Sequence, residues 1–410
     1  MKRIVLITSG HPSFNPRLVK EATALLDAGF HVTLIYQYWN NWASKLNPSI
    51  LNDIRLNLIS VGGSPKHGGI VYWYTRIRYK VASIIAKTIG INLIISKFVV
   101  GRCAIELQNR AILIKGDLYI AHNLAALPAA VEAAKKNNAK CGFDAEDFHR
   151  FENSNDLLNV DVKIRILIEN HYLKTLNYLS TSSPFITKAY KELYPQLSPL
   201  TILNVFPKQS INIKKEKGST LKLFWFSQVI GIGRGLETVI QAMCKIKNLD
   251  IELHLLGQSH GLIKKELEGL VLKNGVTKKI IFYHDPVNPD KIYELASQFD
   301  IGLATEINFP ENREICLTNK IFTYIQSNLA VIASDTIAQK WLLTSYPGFG
   351  NLFRKGDEND LASLLTLYFS DRQLLYQQQK TANELCKTTL NWDLEKNKYL
   401  LQIVNQLEVN

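Results

Sequence analysis

Cysteine and methionine are scarce in this chain of 410 residues, at five and two. Cys103, Cys141, Cys244, Cys316 and Cys386 are scattered, with no C-x-x-C spacing. That excludes a disulfide framework or a zinc site and fits a reducing, cytoplasmic setting. Glycine and proline are also few, at 22 and 13, and no tract is repetitive, which leaves little room for long disordered linkers. No internal repeat recurs at solenoid spacing. Long apolar runs are missing too. The start, Met1-Lys2-Arg3-Ile4-Val5-Leu6-Ile7-Thr8, is broken by Gly10 and Pro12. Its apolar run of about five residues falls short of the roughly 7–15 of a secretory signal. It reads as a first buried strand.

Acidic charge is in deficit, leaving a formal net charge of +12. Such an excess suits nucleic acid, an anionic membrane or phosphate-rich ligands. No RNP motif, zinc finger or Arg-rich recognition helix is present, which disfavours nucleic acid. Residues 70–102 interleave aromatic, aliphatic and basic side chains, from Ile70-Val71-Tyr72-Trp73-Tyr74-Thr75-Arg76-Ile77-Arg78-Tyr79-Lys80 to Ile94-Ile95-Ser96-Lys97-Phe98. Lys87 and Lys97 interrupt the apolar run, so no stretch of roughly 18–20 residues could span a bilayer. Two readings fit this region. One is a helix lying peripherally in an anionic membrane interface, at the inner face of the plasma membrane. The other is a packed helical pair whose Lys and Arg stems snorkel out of a core.

Short apolar runs alternate with longer helix-periodic segments. Strands are expected at Ile4–Thr8, His31–Tyr36, Ile54–Ser60, Asp117–Ala121, Lys140–Asp144, Tyr178–Thr181 and Thr201–Asn204, with helices at Arg17–Ala28, Leu124–Lys136, Val162–Asn177 and Pro184–Tyr194 between them. A Lys-rich polar stretch, 207–219, interrupts the pattern. The alternation restarts with strands at Leu221–Phe226, Ile251–Leu255, Ile280–His284, Ile301–Thr305 and Ala330–Ser334, followed by helices to the end. This is an α/β pattern of two doubly wound halves built from βαβ units. Such sheets bind ligands outside the carboxyl ends of their strands.

Two loops carry the strongest chemical signal. Strand Leu221–Phe226 runs into Ser227-Gln228-Val229-Ile230-Gly231-Ile232-Gly233-Arg234-Gly235, and a helix begins. Alternating glycines bring backbone N–H groups close to an anion, the helix start adds partial positive charge, and Arg234 adds a fork of donors, which together suit a diphosphate. An ordinary Gly-rich strand-to-helix turn fits equally. The spacing is neither a Walker A motif nor a dinucleotide fingerprint. Further on, Asp300-Ile301-Gly302-Leu303-Ala304-Thr305-Glu306 leads through Glu311-Asn312-Arg313-Glu314 to Leu317-Thr318-Asn319-Lys320-Ile321-Phe322-Thr323-Tyr324, then Ala330-Val331-Ile332-Ala333-Ser334. Thr318-Asn319 is expected to cap a helix and leave N–H donors free for phosphate, with Thr323 on the same face. The bland alternative is a solvated acidic loop. In the first half, Asn15 and Pro16 are good helix-start chemistry, His122 ends a strand as a site or structural histidine, and Asp147 is a site acid or a helix cap.

Residues 221–237 resemble the opening of the donor-binding domain of family 4 GT-B glycosyltransferases, and 300–335 is similar to that family's acidic loop, Pro-Asn-Lys-x-Phe-Glu-Tyr helix and Val-Ile-Ala-Ser strand. The resemblance covers nearly the whole chain. It implies a GT-B fold of two Rossmann-like domains facing a cleft: an acceptor domain at 1–206, a linker at 207–219, a donor domain at 220–390, and a helix at 391–410, entered at Trp392, that crosses back. It also implies retaining, metal-independent transfer of a sugar from a nucleotide-diphosphate-sugar to a glycan or lipid-linked acceptor of surface polysaccharide synthesis, with no cofactor. The implied catalytic residues are His122, Glu314 and Arg234. Gly10, Ser227, Gly233, Arg234, His284, Glu311, Thr318, Asn319, Lys320 and Thr323 would bind the donor, and Asn15, Arg17, Asp144, Glu146 and His149 the acceptor. Glu311 is the alternative to Glu314 as the acid beside the sugar. The chain departs from the family at Gln228, where an Arg is expected, and at Thr323, where a Glu holds the ribose. Other readings of the same shape are a sugar-nucleotide 2-epimerase and a non-catalytic glycan-assembly subunit.

Overall fold

The computed structural model describes residues 1–38, 49–209, 218–307 and 309–408. Residues 210–217, most of the expected linker, lie outside the described residues. The chain divides into two compact units: Met1–Leu203 with Pro310–Asn312 and Glu395–Asn410, and Asn204–Phe309 with Arg313–Leu394.

The first unit holds β1 (Arg3–Thr8), β2 (His31–Gln37), β3 (Leu56–Val61), β4 (Leu118–His122), β5 (Lys140–Ala145), β6 (Tyr178–Thr181) and β7 (Leu200–Thr201). All pair in parallel, in the order β3-β2-β1-β4-β5-β6-β7. Near-continuous apolar runs such as Ile4–Ile7 are fully buried, as a sheet covered on both faces requires. The order reverses between β1 and β4, so their carboxyl ends mark the switch point where such sheets open a crevice. Register sets Thr8, His122, Asp144 and Ser180 in one row across four adjacent strands there.

The second unit holds β8 (Leu221–Val229), β9 (Ile251–Gln258), β10 (Ile281–His284), β11 (Ile301–Ala304), β12 (Ala330–Ser334) and β13 (Gly350–Phe353), ordered β10-β9-β8-β11-β12-β13 and again all parallel. Leu223, Trp225, Leu253, Leu303 and Ile332 on the strands pack with Val239, Ile240 and Leu361 on the helices. Here the switch point lies between β8 and β11.

Two elements differ from the sequence reading, and a third region takes the helical form expected of it. β13 was not expected, because Gly-Asn-Leu-Phe carries too short an apolar run and sits at the sheet edge, where burial is partial. The strand expected at Thr201–Asn204 stops at Thr201, since the Leu203 amide turns to the Glu395 carboxylate, 3.0 Å away, in place of a ladder partner. The aromatic-basic region forms helices Gly69–Thr88 and Leu93–Val99, followed by a third at Ala104–Ile112. No helix among the described residues is long and apolar enough to cross a membrane. All five cysteines are free and buried.

Gly302 shows how tightly the second sheet is packed. A Cβ there would stand 2.1 Å from the ring of buried Tyr324, whose hydroxyl donates to the Leu303 carbonyl at 2.9 Å. Gly302→Ala should therefore cost about 1–3 kcal/mol of stability, the usual range for overpacking, read as a lower urea midpoint with an unchanged slope.

Candidate functional site

The switch point of the second unit gathers most of the residues nominated for the donor. After β8 the chain passes Ser227 and a glycine-rich turn to Gly235, whose φ of 80° precedes helix Leu236–Lys245. Glycine is required twice over at this position. Beyond the left-handed backbone, a Cβ would meet the Thr305 carbonyl oxygen at 2.2 Å. The Thr305 hydroxyl donates to the Arg234 carbonyl at 2.9 Å, so the loops after β8 and β11 are fastened together.

Arg234 is half buried, and its Nη1 donates to Ser227 Oγ at 2.6 Å. No carboxylate forms an ion pair with it among the described residues. Burial first, and then the charge of Arg313, pull its pKa below the usual arginine value, with Glu306 opposing. A guanidinium always stays charged, so this environment means an unmatched cation seeking an anion. The Gly233 amide donates to Glu237 Oε1 at 2.6 Å.

Glu306, directly after β11, is the residue that sequence reasoning passed over. It is buried and takes Lys320 Nζ in a close ion pair, Arg313 Nη1 at 3.3 Å and Thr318 Oγ1 at 3.3 Å. Burial would raise its pKa, but Lys320 and Arg313 hold it below the usual value. Its signal was positional: an acid at the carboxyl end of a strand flanking the switch point. Lys320 also lies over the Trp225 ring, 5.3 Å from its centre.

Helix Asn319–Gln326 starts at Thr318, but the expected side-chain cap is absent. The Thr318 hydroxyl is spent on Glu306, so the first-turn amides receive no side-chain cap. Asn319 accepts a bond from Asn204 Nδ2, and the Thr323 hydroxyl returns to the Asn319 carbonyl at 3.0 Å. Glu314 is held elsewhere. Its carboxylate accepts from Lys355 Nζ at 2.7 and 2.9 Å and from the Ile337 amide at 3.1 Å. Glu311 belongs to the first unit, where its amide donates to Asn155 Oδ1 at 2.8 Å.

His284 ends β10 and forms a relay. Its Nε2 lies 3.0 Å from His254 Nδ1, and His254 Nε2 lies 3.1 Å from Glu252. Burial lowers the pKa of both rings, against Glu252 in the case of His254. With neutral rings, the carboxylate takes the proton of His254 Nε2, so His254 Nδ1 accepts from His284 Nε2–H. His284 Nδ1 is then left as an acceptor.

In the first unit the nominated acceptor residues form a buried charge network. Arg17 grips Asp144 through Nε at 2.7 Å and Nη2 at 2.8 Å, and its Nη1 donates to the Ile202 carbonyl at 2.6 Å. Ser180 donates to Asp144 at 2.7 Å. His122 stands 3.4 Å from Glu21 and 3.5 Å from Asp144 and is buried with them. Glu21, His122 and Asp144 could surround one cation. Arg17, also 3.4 Å from Glu21, already supplies that charge. Glu146 is pushed up to about 7 by burial and Asp147, and Lys20 down to about 7 by burial and Arg17. Asn15 caps helix Pro16–Asp27 by accepting from the Leu18 amide at 2.9 Å. Gly10 donates to Thr8 Oγ1 at 3.2 Å. His149 Nδ1 bonds Glu152 at 2.9 Å, and this carboxylate raises its pKa against the effect of burial. Asp147 takes the side-chain amide of Asn312 at 2.8 Å, and the turn His149–Phe151 starts without a side-chain cap.

Two outcomes test this account. Burial, and then Asp144, raise the Glu21 pKa to about 7; Glu21 and Asp144 raise that of His122 against burial. Both groups bind protons more tightly folded than unfolded, so stability present below their usual values is lost as pH rises through the folded ones. Asp144, held low by Arg17 against burial, acts oppositely, losing stability only on acidification. Glu21→Gln should therefore flatten the fall in Tm between about pH 5 and 8, measured by thermal shift. In the second unit, Lys320→Ala leaves the buried Glu306 carboxylate with only its longer contacts to Arg313 and Thr318 and should cost about 3 kcal/mol in urea unfolding. The double variant Lys320→Met with Glu306→Gln should lose less than the sum of its singles.

No protein-family model matches the sequence, and no curated protein does. Solved structures do match along the full length. A glycosyltransferase from Rickettsia africae ESF-5 is 15% identical, with 100% of this chain and 99% of that one covered at a TM-score of 0.68. Anabaena Alr3699/HepE in complex with UDP-glucose is 12% identical over 99% and 100%, at 0.70. S. aureus MnaA, solved with UDP, is 11% identical over 100% and 98%, at 0.59. At these identities the likeness concerns architecture, and with the two parallel sheets it establishes that the chain has the GT-B glycosyltransferase fold.

Proposed function

We propose that this chain transfers a sugar from a nucleotide-diphosphate donor to a hydroxyl of a glycan or lipid-linked acceptor, with retention of anomeric configuration and without a metal. The observation that carries this reading is the convergence of Arg234, Lys320 and the helix start at Asn319 on one switch point. Three positive features with a single buried carboxylate among them suit an anion of more than one charge. In this reading the second unit binds the donor and the first the acceptor.

The diphosphate rests against Arg234 and the amides of Asn319 and Lys320. As the sugar–phosphate bond breaks, these groups stabilise the charge gathering on the leaving oxygen. Glu306 fixes Lys320 in position, and Thr323 lies one turn along the same helix, toward the ribose. His284 offers its Nδ1 acceptor on the base side. Glu314 completes the donor set in the second unit, and Asn15, Arg17, Asp144, Glu146 and His149 form the acceptor side, with His122 holding the strand ends through its carboxylate neighbours. The Arg234 pairing with Ser227 supports this arrangement despite Gln228.

The likeness to MnaA keeps a second reading, epimerisation of the donor sugar at C2, on the same site. The deciding experiment screens nucleotide-sugars by thermal shift, then follows nucleoside diphosphate release with and without acceptor. Release only with acceptor supports transfer. An epimerised sugar nucleotide, or tight binding with no turnover, overturns it. Arg234→Ala should lower turnover about tenfold or more while its fold is kept; an unchanged rate removes Arg234 from the site.

A further inference from the structure

The helix Gly69–Thr88 presents two unlike faces. Tyr72, Thr75, Ala82 and Ala86 are buried against the first unit. On the opposite side Ile70, Trp73, Tyr74, Ile77, Val81 and Ile84 point outward. Ile70 is 88% exposed, Trp73 60%, and Ile77 and Ile84 each 61%. At 3.6 residues per turn these six fall within an arc of about 100°, a continuous apolar stripe along the whole helix. A core-packing face would be covered, and this one is not.

The charges beside the stripe are as ordered as the stripe itself. From Ile54 to Ile105 the sequence has eight Lys and Arg and no Asp or Glu. Of these, Arg55, Arg78 and Lys97 are neutralised by carboxylates from outside that stretch: Asp53 and Asp27, Glu106, and Glu132. Arg76, Lys80 and Lys87 form no ion pair among the described residues. All three project along one border of the stripe, within about 40° of one another. An apolar ridge bearing tryptophan and tyrosine, edged by unpaired cations, matches an interface whose hydrocarbon lies under a layer of negative headgroups. A second copy of this chain would meet the ridge with the same uncompensated cations.

We propose that the outward face of helix Gly69–Thr88 docks the first unit onto an anionic lipid bilayer. The apolar stripe enters the headgroup boundary, and Arg76, Lys80 and Lys87 engage lipid phosphates. This surface shares no residue with those assigned to sugar transfer, so its test needs no donor and stands or falls apart from that reading.

The experiment is flotation of the full chain with vesicles of phosphatidylcholine, or of an equal mixture with phosphatidylglycerol, at low and high salt. Binding is expected to the anionic vesicles only and to weaken with salt. At roughly fivefold per cation, Arg76→Gln, Lys80→Gln and Lys87→Gln together should weaken it by about a hundredfold. Ile77→Glu with Ile84→Glu should abolish it while circular dichroism stays unchanged, since both side chains face solvent. Trp73→Phe should remove the blue shift in tryptophan emission that accompanies binding. No flotation with either vesicle, or equal flotation with both, overturns the proposal. So does a dimer in solution that the double Glu variant converts to monomer without any vesicle binding, which would make the stripe a contact between copies.

Discussion

A parallel strand cannot be followed directly by its neighbour. The chain must cross back, and where successive crossovers leave a central strand in opposite directions, the two loops beside it part. Both units obey this constraint, at β1 and β4 in one and at β8 and β11 in the other. Everything chemically notable about the molecule's two sheets follows from it. The row Thr8, His122, Asp144 and Ser180 exists because four strands end in register, and the Thr305–Arg234 bond exists because the loops after β8 and β11 emerge side by side.

The two switch points handle charge differently. In the first unit, Arg17 and Ser180 bind Asp144 through short bonds in the interior, while Glu21 and His122 stand beside them at 3.4–3.5 Å as opposite charges without a hydrogen bond. In the second unit, Glu306 is shared by Lys320 and Arg313, and Arg234 beside them has no carboxylate in an ion pair among the described residues. Opposite charges balance at the first switch point, whereas at the second Arg234 has no matching carboxylate. This asymmetry, more than any single residue, is why the second unit is the better candidate for an anionic donor.

The net positive charge also acquires a location. Of the eight basic residues between Ile54 and Ile105, three are paired with carboxylates within the first unit, and three more, Arg76, Lys80 and Lys87, lie beside an exposed apolar ridge. Formal charge alone could not distinguish a phosphate-binding protein from a surface-binding one, because it does not say which cations are paired.

Local pattern determined a great deal. Runs such as Ile4-Val5-Leu6-Ile7 and Ala330-Val331-Ile332-Ala333 read as doubly buried strands, and their alternation with amphipathic segments implied two doubly wound halves. The glycines around Arg234 and the start of helix Asn319–Gln326 were visible for the same reason, since backbone geometry is written in a few adjacent residues. Tertiary structure alone decided which polar groups meet. Glu306 and Lys320 are 14 residues apart, Arg17 and Asp144 are 127 apart, and Glu314 turns to Lys355. No periodicity records such pairings. The same holds for helix Gly69–Thr88, whose interleaved residues fitted a packed pair as well as a surface until folding set one face inward and left the other bare. Short-range sterics specify elements, but long-range packing specifies partners, and the chemistry of a site belongs to the partners.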